Sequence, residues 1–161
     1  MNDKDLLTLL EKDGRLTTGE LADKLGCSEG EVQAAIKRLE NDKVILGYTA
    51  LVDWDKKRRE YVSAMIELKI TPLRGDGFDK VATRIKSYPQ VKNVYLMSGG
   101  YDILVHIEGK TLTEVALFVA AKLATMEGVV STATHFVLKK YKDKGFTFDV
   151  DAKDYRSLFN I

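Results

Sequence analysis

The side chains capable of the most specific chemistry in this chain lie along one face of a helix predicted after Cys27. Gln33 could form the paired hydrogen bonds that recognise adenine, and Lys37 and Arg38 could bind guanine or phosphate oxygens. These residue types at helical spacing predict a surface that binds duplex DNA. The residues expected at this surface are Thr18, Ser28, Glu29, Gly30, Glu31, Gln33, Ala34, Lys37, Arg38 and Tyr48.

Acidic residues around this helix argue against DNA binding. Glu29 and Glu31 would repel phosphate, although either could accept a hydrogen bond from the amino group of cytosine. Residues 1–53 contain 7 Lys and Arg against 11 Asp and Glu, a net charge of −4, whereas residues 54–161 carry +5. A DNA-binding domain is normally basic, because neutralising phosphates supplies much of the affinity. The charge balance is therefore the main argument against the prediction.

A second set of polar groups is predicted in a glycine-rich turn at residues 98–102. Glycines permit close backbone approach, so N–H groups here could bind a carboxylate while Asp102 binds an ammonium group. A free amino acid needs this pair of contacts. The residues expected at such a site are Ser98, Gly99, Gly100, Tyr101, Asp102, Thr132 and Thr134. From the local sequence alone, a plain hairpin turn and ordinary strand propensity explain the same residues better.

No group of residues indicates catalysis or metal binding. His106 and His135 have no metal-ligand spacing and no neighbouring cysteine or carboxylate cluster, so both are interpreted as structural. Cys27 is the only cysteine, which excludes an intramolecular disulfide. The chain contains no nucleophile elbow, P-loop or dinucleotide-binding motif. We predict no catalytic residue, no metal and no cofactor.

The composition is that of an ordinary globular protein. The 161 residues are 45% hydrophobic, and no apolar run reaches the roughly 20 residues that a membrane helix needs. The first residues are charged and amphipathic, unlike a signal peptide. We therefore predict a cytoplasmic protein with no membrane partner.

The elements that would hold the first set of residues are three short helices and a hairpin. A pattern of leucines predicts the first helix over residues 2–12. The second and third helices flank a turn at Gly26, and Ser28 with Glu31 forms a capping box for the third. A β-rich run at residues 44–52 predicts the hairpin. This arrangement is a winged helix-turn-helix. The second helix of that motif, which is the third predicted helix of this chain, enters the DNA major groove.

Beyond a charged linker at residues 54–60, the hydrophobic period changes from helical to alternating. The predicted order of elements is then β-α-β-β-α-β, the ferredoxin-like pattern of a four-stranded antiparallel sheet with both helices on one face. The fold class is therefore α+β. We place the winged helix-turn-helix domain at residues 1–53, the ferredoxin-like domain at residues 61–141 and a C-terminal extension at residues 142–161.

Smaller features of the second part are also predicted. We expect a turn at residues 71–77, a last strand at residues 129–141, an edge strand at residues 146–150 and a docking segment at residues 155–161. The sheet face turned away from the helices is expected to carry Tyr61, Met65, Leu104 and His106. Because such an apolar mixture needs a covering surface, it favours a homodimer packed sheet to sheet.

Several segments, taken in order, carry a resemblance to a known family. They are Asp5-Leu6-Leu7, Asp13-Gly14-Arg15, Glu20-Leu21-Ala22, Leu25-Gly26-Cys27-Ser28, Ile36-Lys37-Arg38-Leu39-Glu40, Val44-Ile45-Leu46-Gly47-Tyr48-Thr49-Ala50, Ser98-Gly99-Gly100-Tyr101-Asp102 and Gly128-Val129-Val130. In this order, before and within a ferredoxin-like second half, they resemble the Lrp/AsnC family, the feast/famine regulators. The resemblance covers roughly residues 3–141.

The resemblance implies a DNA-binding domain together with an amino-acid-sensing domain often called RAM. Its implied partners are double-stranded DNA and further copies of the chain, as a homodimer that assembles into a tetramer or octamer. It also implies that a small effector, commonly an amino acid, is held between RAM domains near the Gly-Tyr-Asp turn.

We therefore predict a sequence-specific transcriptional regulator, modulated by a small effector that is expected to be an amino acid, and not an enzyme. Two alternatives stay open. Siroheme-type tetrapyrrole decarboxylases resemble the same two-domain architecture and would suit an acidic first domain, although no arginine lies near His106 or His135 in the sequence. The other alternative is a partner protein that binds an effector but has no affinity for DNA.

Overall fold

The computed structural model describes residues 1–57, 60–71 and 77–148. The chain divides into two compact units, of which the first ends at Val52 and the second begins at Asp53. None of the helices in the described ranges has the length and apolar character required to cross a bilayer.

The first unit contains helices α1 (Asp3–Lys12), α2 (Thr18–Leu25) and α3 (Glu29–Asn41). Gly26 ends α2 at φ 64°, a left-handed conformation that glycine adopts without strain. A capping box then starts α3, because Ser28 N donates to Glu31 Oε2 at 2.9 Å while Glu31 N donates to Ser28 Oγ at 3.4 Å. The three predicted helices, the glycine turn and this capping box are confirmed.

A small apolar core orients α3. Leu6, Leu21 and Val32, one from each helix, are fully buried, and Leu39 is nearly so. Since these side chains occupy the inner face of the three helices, the opposite face of α3 is turned to solvent.

Residues 44–52 do not form the predicted hairpin, because none of them belongs to a strand. The two arms of a hairpin must exchange backbone hydrogen bonds, and the two halves of this segment form no strand pair. The start of the segment is held where the N–H groups of Val44 and Ile45 donate to Leu39 O at 2.9 and 3.1 Å. Further along, Leu46 is 87% exposed. The β propensity of this run is therefore not realised as a hairpin.

The second unit contains β1 (Val62–Ile70), α4 (Asp79–Lys86), β2 (Val91–Leu96), β3 (Ile103–Gly109), α5 (Leu112–Phe118) and β4 (Val129–Phe136). A 3-10 turn at Asp55–Lys57 precedes β1, and a π-helical turn at Val119–Leu123 continues α5. The strands pair antiparallel in the order β2-β3-β1-β4. The predicted ferredoxin-like arrangement is confirmed.

The core of the second unit lies on one face of this sheet. The inward positions of β1 are Ala64, Ile66, Leu68 and Ile70, and all of them are buried. Both helices pack on these residues through Val81, Ile85, Val115 and Phe118. The other face of β1 carries Met65 and Glu67, and Met65 is in register with His106 of β3. The predicted position of Met65, Leu104 and His106 on the uncovered face is confirmed.

The last strand of this sheet is shorter than predicted. It ends at Phe136 rather than near residue 141. Val137 N still donates to Ser63 O at 2.8 Å, so one backbone hydrogen bond to β1 follows the last paired residue of β4. Beyond it the chain leaves the sheet, although β1 extends to Val62.

The chain then forms a separate two-stranded hairpin from β5 (Lys142–Asp143) and β6 (Phe146–Thr147). A strand does begin at Phe146 as predicted, but it pairs with β5 rather than with the four-stranded sheet and ends at Thr147. Most of the predicted turn at residues 71–77, the end of the predicted edge strand at Val150 and the predicted docking segment at residues 155–161 lie outside the described residues.

The substitution Ile66→Ala is expected to lower the free energy of unfolding by about 2–5 kcal/mol, because it leaves a cavity in a fully buried position. Urea unfolding followed by circular dichroism measures the change. Leu138→Ala is the control, since this leucine is 77% exposed and should change stability by no more than about 0.5 kcal/mol. Equal losses in both variants would contradict the assignment of the core face.

Candidate nucleic-acid interface and effector turn

The outward face of α3 carries Gly30, Gln33, Ala34 and Lys37, here named the α3 stripe. The spacing i, i+3, i+4, i+7 places them along one side of the helix, and all four are exposed. Within the described part of the chain, the side chains of Gln33 and Lys37 make no hydrogen bond or ion pair. A Cβ atom built on Gly30 would meet nothing within 4 Å. The stripe is therefore open to another molecule.

The chemistry of the α3 stripe suits a base-pair edge. Gly30 and Ala34 present little bulk, so a second surface could approach the helix backbone closely. The amide of Gln33 offers a donor and an acceptor, which match adenine in the major groove. The ammonium group of Lys37, one turn along, can bind guanine or a phosphate.

The two carboxylates at the start of α3 are engaged within the first unit. Glu31 Oε2 accepts from Ser28 N at 2.9 Å and Ser28 Oγ at 2.7 Å, and these bonds lower the pKa of its carboxyl. A carboxylate here also offsets the positive end of the helix dipole. Glu29 Oε2 accepts from Thr18 Oγ1 at 3.3 Å, which links the starts of α2 and α3. Four residues of the predicted interface therefore have structural contacts, and their contacts with DNA stay predictions: Thr18, Ser28, Glu29 and Glu31.

Two further members of the predicted interface also have partners inside the first unit. Arg38 donates to Asp3 Oδ1 at 2.7 Å, and this bond lowers the pKa of Asp3 and raises that of Arg38. Tyr48 donates to Glu40 Oε1 at 3.1 Å, and burial followed by this hydrogen bond raises the pKa of its hydroxyl. Binding of the Tyr48 hydroxyl to phosphate would thus compete with Glu40, and Asp3 offsets part of the positive charge of Arg38.

The turn at residues 98–102 is anchored to the central strand. Asp102 N donates to Leu68 O at 2.9 Å, and Asp102 Oδ2 accepts from Ile70 N at 2.7 Å. Across the turn, Met97 N donates to Asp102 O at 2.8 Å. Gly99 has φ 153°, a conformation that side chains rarely permit. The aspartate therefore has a structural role, and its Oδ1 atom has no hydrogen-bond partner among the described residues.

The other predicted members of the amino-acid site are not brought to this turn. Thr132 and Thr134 pair with Leu68 and Ile66 and so lie on the helix-facing side of β4. Strand β1 separates β4 from β3, so about 10 Å of sheet lies between Thr132 and Ile103 beside the turn. One small ligand within one chain therefore does not reach both groups by direct hydrogen bonds.

A hydrogen-bonded chain on the uncovered sheet face was not predicted from the sequence. Ser63 Oγ lies 2.8 Å from His106 Nε2, and His106 Nδ1 lies 2.9 Å from Asn93 Oδ1. The interpretation of His106 as a satisfied structural histidine is confirmed. The three residues come from three adjacent strands, so only the register of the sheet could have revealed that they meet.

The remaining histidine belongs to a different contact. His135 Nε2 lies 3.3 Å from Glu67 Oε1, across the pair of strands β1 and β4. Among residues 1–57, 60–71 and 77–148, no three His, Cys, Asp or Glu residues are grouped so that they could hold a metal ion.

The chain combines a helix-turn-helix, in which α3 is exposed, with a ferredoxin-like sheet. This combination is that of ligand-responsive DNA-binding regulators. Residues 2–45 match the family described as winged helix-turn-helix DNA-binding, and residues 63–145 match the family described as Lrp/AsnC ligand binding domain. The chain belongs to the Lrp/AsnC family of transcriptional regulators.

Known proteins agree with this assignment along most of the chain. The chain is 46% identical over 153 residues to an uncharacterized HTH-type transcriptional regulator of Bacillus subtilis, YugG, covering 94% of this chain and 92% of that one. It is 28% identical over 144 residues to the leucine-responsive regulatory protein of Escherichia coli, covering 87% and 85%. A transcriptional regulator of Neisseria meningitidis, solved as a complex with L-Met, has the same fold with a TM-score of 0.69 at 23% identity, covering 92% and 95%.

The anchoring role of Asp102 gives a stability prediction. Asp102→Ala leaves the N–H of Ile70 without its acceptor and is expected to lower the free energy of unfolding by about 1–3 kcal/mol. Asp102→Asn keeps an oxygen acceptor and should lose less. Urea unfolding of the two variants and the wild type gives the comparison. If the asparagine variant is as unstable as the alanine variant, the hydrogen bond to Ile70 is not what matters.

Proposed function

We propose that this protein is a cytoplasmic, homo-oligomeric regulator that binds duplex DNA through the α3 stripe and is controlled by an amino acid bound at the turn of residues 98–102. In this assignment, residues 1–53 are the DNA-binding domain and residues 54–60 the linker. Residues 61–141 bind the effector and hold the assembly together, and residues 142–161 extend it. We propose a regulator rather than an enzyme, because the matched relatives carry names of transcriptional regulators.

The observation that supports DNA binding most directly is the open state of the α3 stripe. In the described part of the first unit, Glu31, Glu29 and Arg38 have partners of their own, whereas Gln33 and Lys37 make no contact of this kind. The donors that could discriminate bases are thus the available ones. With Lys37 as the main open cation on this face, we expect few phosphate contacts and a shallow dependence of affinity on salt.

The proposed assembly begins with the uncovered face of the sheet. Met65 and Leu104 are partly exposed there, and Tyr95, in register with Leu104, is 50% exposed. A second copy of the same face would cover these side chains around a two-fold axis. Two α3 helices related in this way would contact half-sites about 34 Å apart, or a multiple of that distance.

The effector proposal rests on the turn and on what related proteins bind. Exposed backbone at Ser98, Gly99 and Gly100 can receive a carboxylate, and Asp102 Oδ1 can receive an ammonium group. The names of two relatives mention leucine and L-Met, which makes these amino acids the first probes. Thr132 and Thr134 would join such a site only from another copy of the chain.

Substitution of the α3 stripe tests DNA readout. Gln33→Ala is expected to reduce the preference for the target over a scrambled duplex by about 1–3 kcal/mol, since it removes a paired hydrogen bond to a base. Lys37→Ala should weaken binding to both duplexes and lower the slope of log affinity against log salt by about 0.9 for each phosphate that is no longer neutralised. Fluorescence anisotropy with the gene's own upstream region provides the measurement.

Lys12→Ala is the matched control for charge, because Lys12 is an exposed lysine at the end of a different helix, α1. It should leave the base preference unchanged. Target binding that is unaltered in the Gln33→Ala, Lys37→Ala double variant would exclude readout by α3. If the wild type binds no duplex even at low salt, the partner protein without DNA affinity becomes the better description.

A thermal-shift screen of the twenty amino acids tests the effector site. A ligand at 100 times its dissociation constant stabilises the folded state by about 2.7 kcal/mol, which is readily seen as a higher midpoint temperature. Asp102→Asn keeps the acceptor for Ile70 but removes the charge, so it should abolish the shift in a folded protein. Asp23→Asn, at an exposed position of α2, should preserve it. No shift with any amino acid at millimolar concentration would refute the proposal.

A further inference from the structure

The two helices of the second unit differ in what they turn to solvent. Both pack on the same face of the sheet, and the outward side of α4 is polar, with Lys80, Thr83, Arg84 and Ser87 exposed. The exposed side of α5 and its π-helical continuation consists of two neighbouring i, i+4 rows, here named the α5 face: Leu112, Ala116 and Ala120 in one row, and Thr113, Leu117 and Ala121 in the other. Leu117 is 63% exposed and Leu112 is 56% exposed.

The α5 face lacks the charged residues that a solvent-facing side of a helix normally carries. The inner side of this helix is already apolar, since Val115 and Phe118 are buried. The charged residues of the run 112–123 are Glu114 and Lys122, and each lies four residues from Phe118, which places both on a flank beside the packed side. A helix that is apolar on both sides is normally buried, so the α5 face suits a covering surface.

The residues of the α5 face are complementary to a second copy of themselves. When two such helices run antiparallel about a two-fold axis between Ala116 and Leu117, Leu117 of each copy lies opposite Ala116 of the other. The same axis sets Leu112 opposite Ala121, and the threonine of the face opposite its remaining alanine. Each larger side chain therefore meets an alanine, which leaves room for it and lets the two helices approach closely.

The charges on the flank of α5 fit the same symmetry. The axis keeps equal flanks of the two helices on the same side, so Glu114 of one copy approaches Lys122 of the other. Glu114 Oε2 accepts from Lys110 N at 2.6 Å, and among the residues that the structure describes Lys122 makes no hydrogen bond or ion pair. A parallel pair would instead set Glu114 beside Glu114. The charges therefore favour the antiparallel arrangement, as the helix dipoles also do.

The size of the α5 face indicates the kind of assembly that it can join. Residues 112–121 span about 15 Å of helix, and one helix face of that length supplies only part of the roughly 800 Å² per partner that a stable interface between free proteins buries. In the proposed dimer the sheets face each other and the helices lie outside. The two α5 faces of one dimer then point away from each other, and both are available to other dimers, where repeated contacts strengthen one another.

We propose that the α5 face is the contact through which one dimer of this chain joins the next. Each copy uses the uncovered sheet face within a dimer and the α5 face between dimers, about a second two-fold axis. Two self-complementary contacts per copy produce closed assemblies with an even number of copies. This inference rests on the proposed homo-oligomeric function and names the surface by which the assembly grows beyond a dimer.

The test measures the mass of the full-length protein by sedimentation velocity over a range of concentrations. The wild type should sediment as a tetramer or a larger assembly. Leu117→Lys sets a charge against Ala116 of the neighbouring copy, so the mass should fall to that of a dimer. The variant should fold as the wild type does, because this side chain is largely exposed, and circular dichroism checks this. Thr83→Lys adds the same charge at an exposed position of α4 and should keep the wild-type mass.

A charge exchange tests the pairing of the two copies. Ala116→Glu alone should also reduce the mass. In the Ala116→Glu, Leu117→Lys double variant, each new carboxylate lies opposite a new ammonium group of the other copy, so the larger assembly should return. Adjacent residues of one helix do not face each other, so a contact within one chain does not produce this recovery. A double variant that stays as small as the single variants would refute the antiparallel pairing.

The size of the mass change separates this inference from the proposed sheet-to-sheet dimer. An unchanged mass in Leu117→Lys would overturn the inference and assign the α5 face to a different kind of partner. A fall to monomers would keep the α5 contact between copies but refute the dimer formed by the sheets. A fall to dimers, with Thr83→Lys unaffected, is the result expected when both contacts are correct.

Discussion

The fold of the second unit depends on the register of its central strand, β1. Because β3 and β4 both pair with it, a shift of one residue would turn Ile66 outward and Glu67 inward in one step. The same register positions the turn of residues 98–102 and the hydrogen-bonded chain of His106. Asp102 binds the last N–H of the strand, and Ser63 near its start meets His106. The contacts at the two ends of β1 are therefore joined by one strand.

In the first unit, the acidic residues near α3 have a use that explains their presence. Glu31 and Ser28 begin the helix, and Glu29 ties its first turn to Thr18 of α2. A helix-turn-helix needs its second helix held firmly, since a small error of angle moves every contact with the groove. These carboxylates hold α3 in place, but their negative charge weakens the electrostatic attraction of DNA phosphates. The α3 stripe itself carries one lysine, Lys37.

Features with a local signal were predictable, and features that need a distant partner were not. The alternation in β1 and the capping box at Ser28 depend only on residues that are close together in the sequence, and both predictions were correct. The run at residues 44–52 has strand-forming residues, but its two halves form no strand pair, and β4 ends at Phe136 although β1 extends two residues further. In the candidate sites, spacing identified the α3 stripe. The Asp3–Arg38 contact required the packed helices, and the Ser63–His106 contact required three aligned strands.

The ion pair between Arg38 and Asp3 has a consequence for how such a protein would search a genome. Arg38 contacts Asp3 through one of its terminal nitrogens, and the carboxylate beside it offsets much of the positive charge that a phosphate would meet. Exposed ion pairs of this kind contribute little to binding. Adhesion to arbitrary chromosomal stretches therefore gains almost nothing from this arginine.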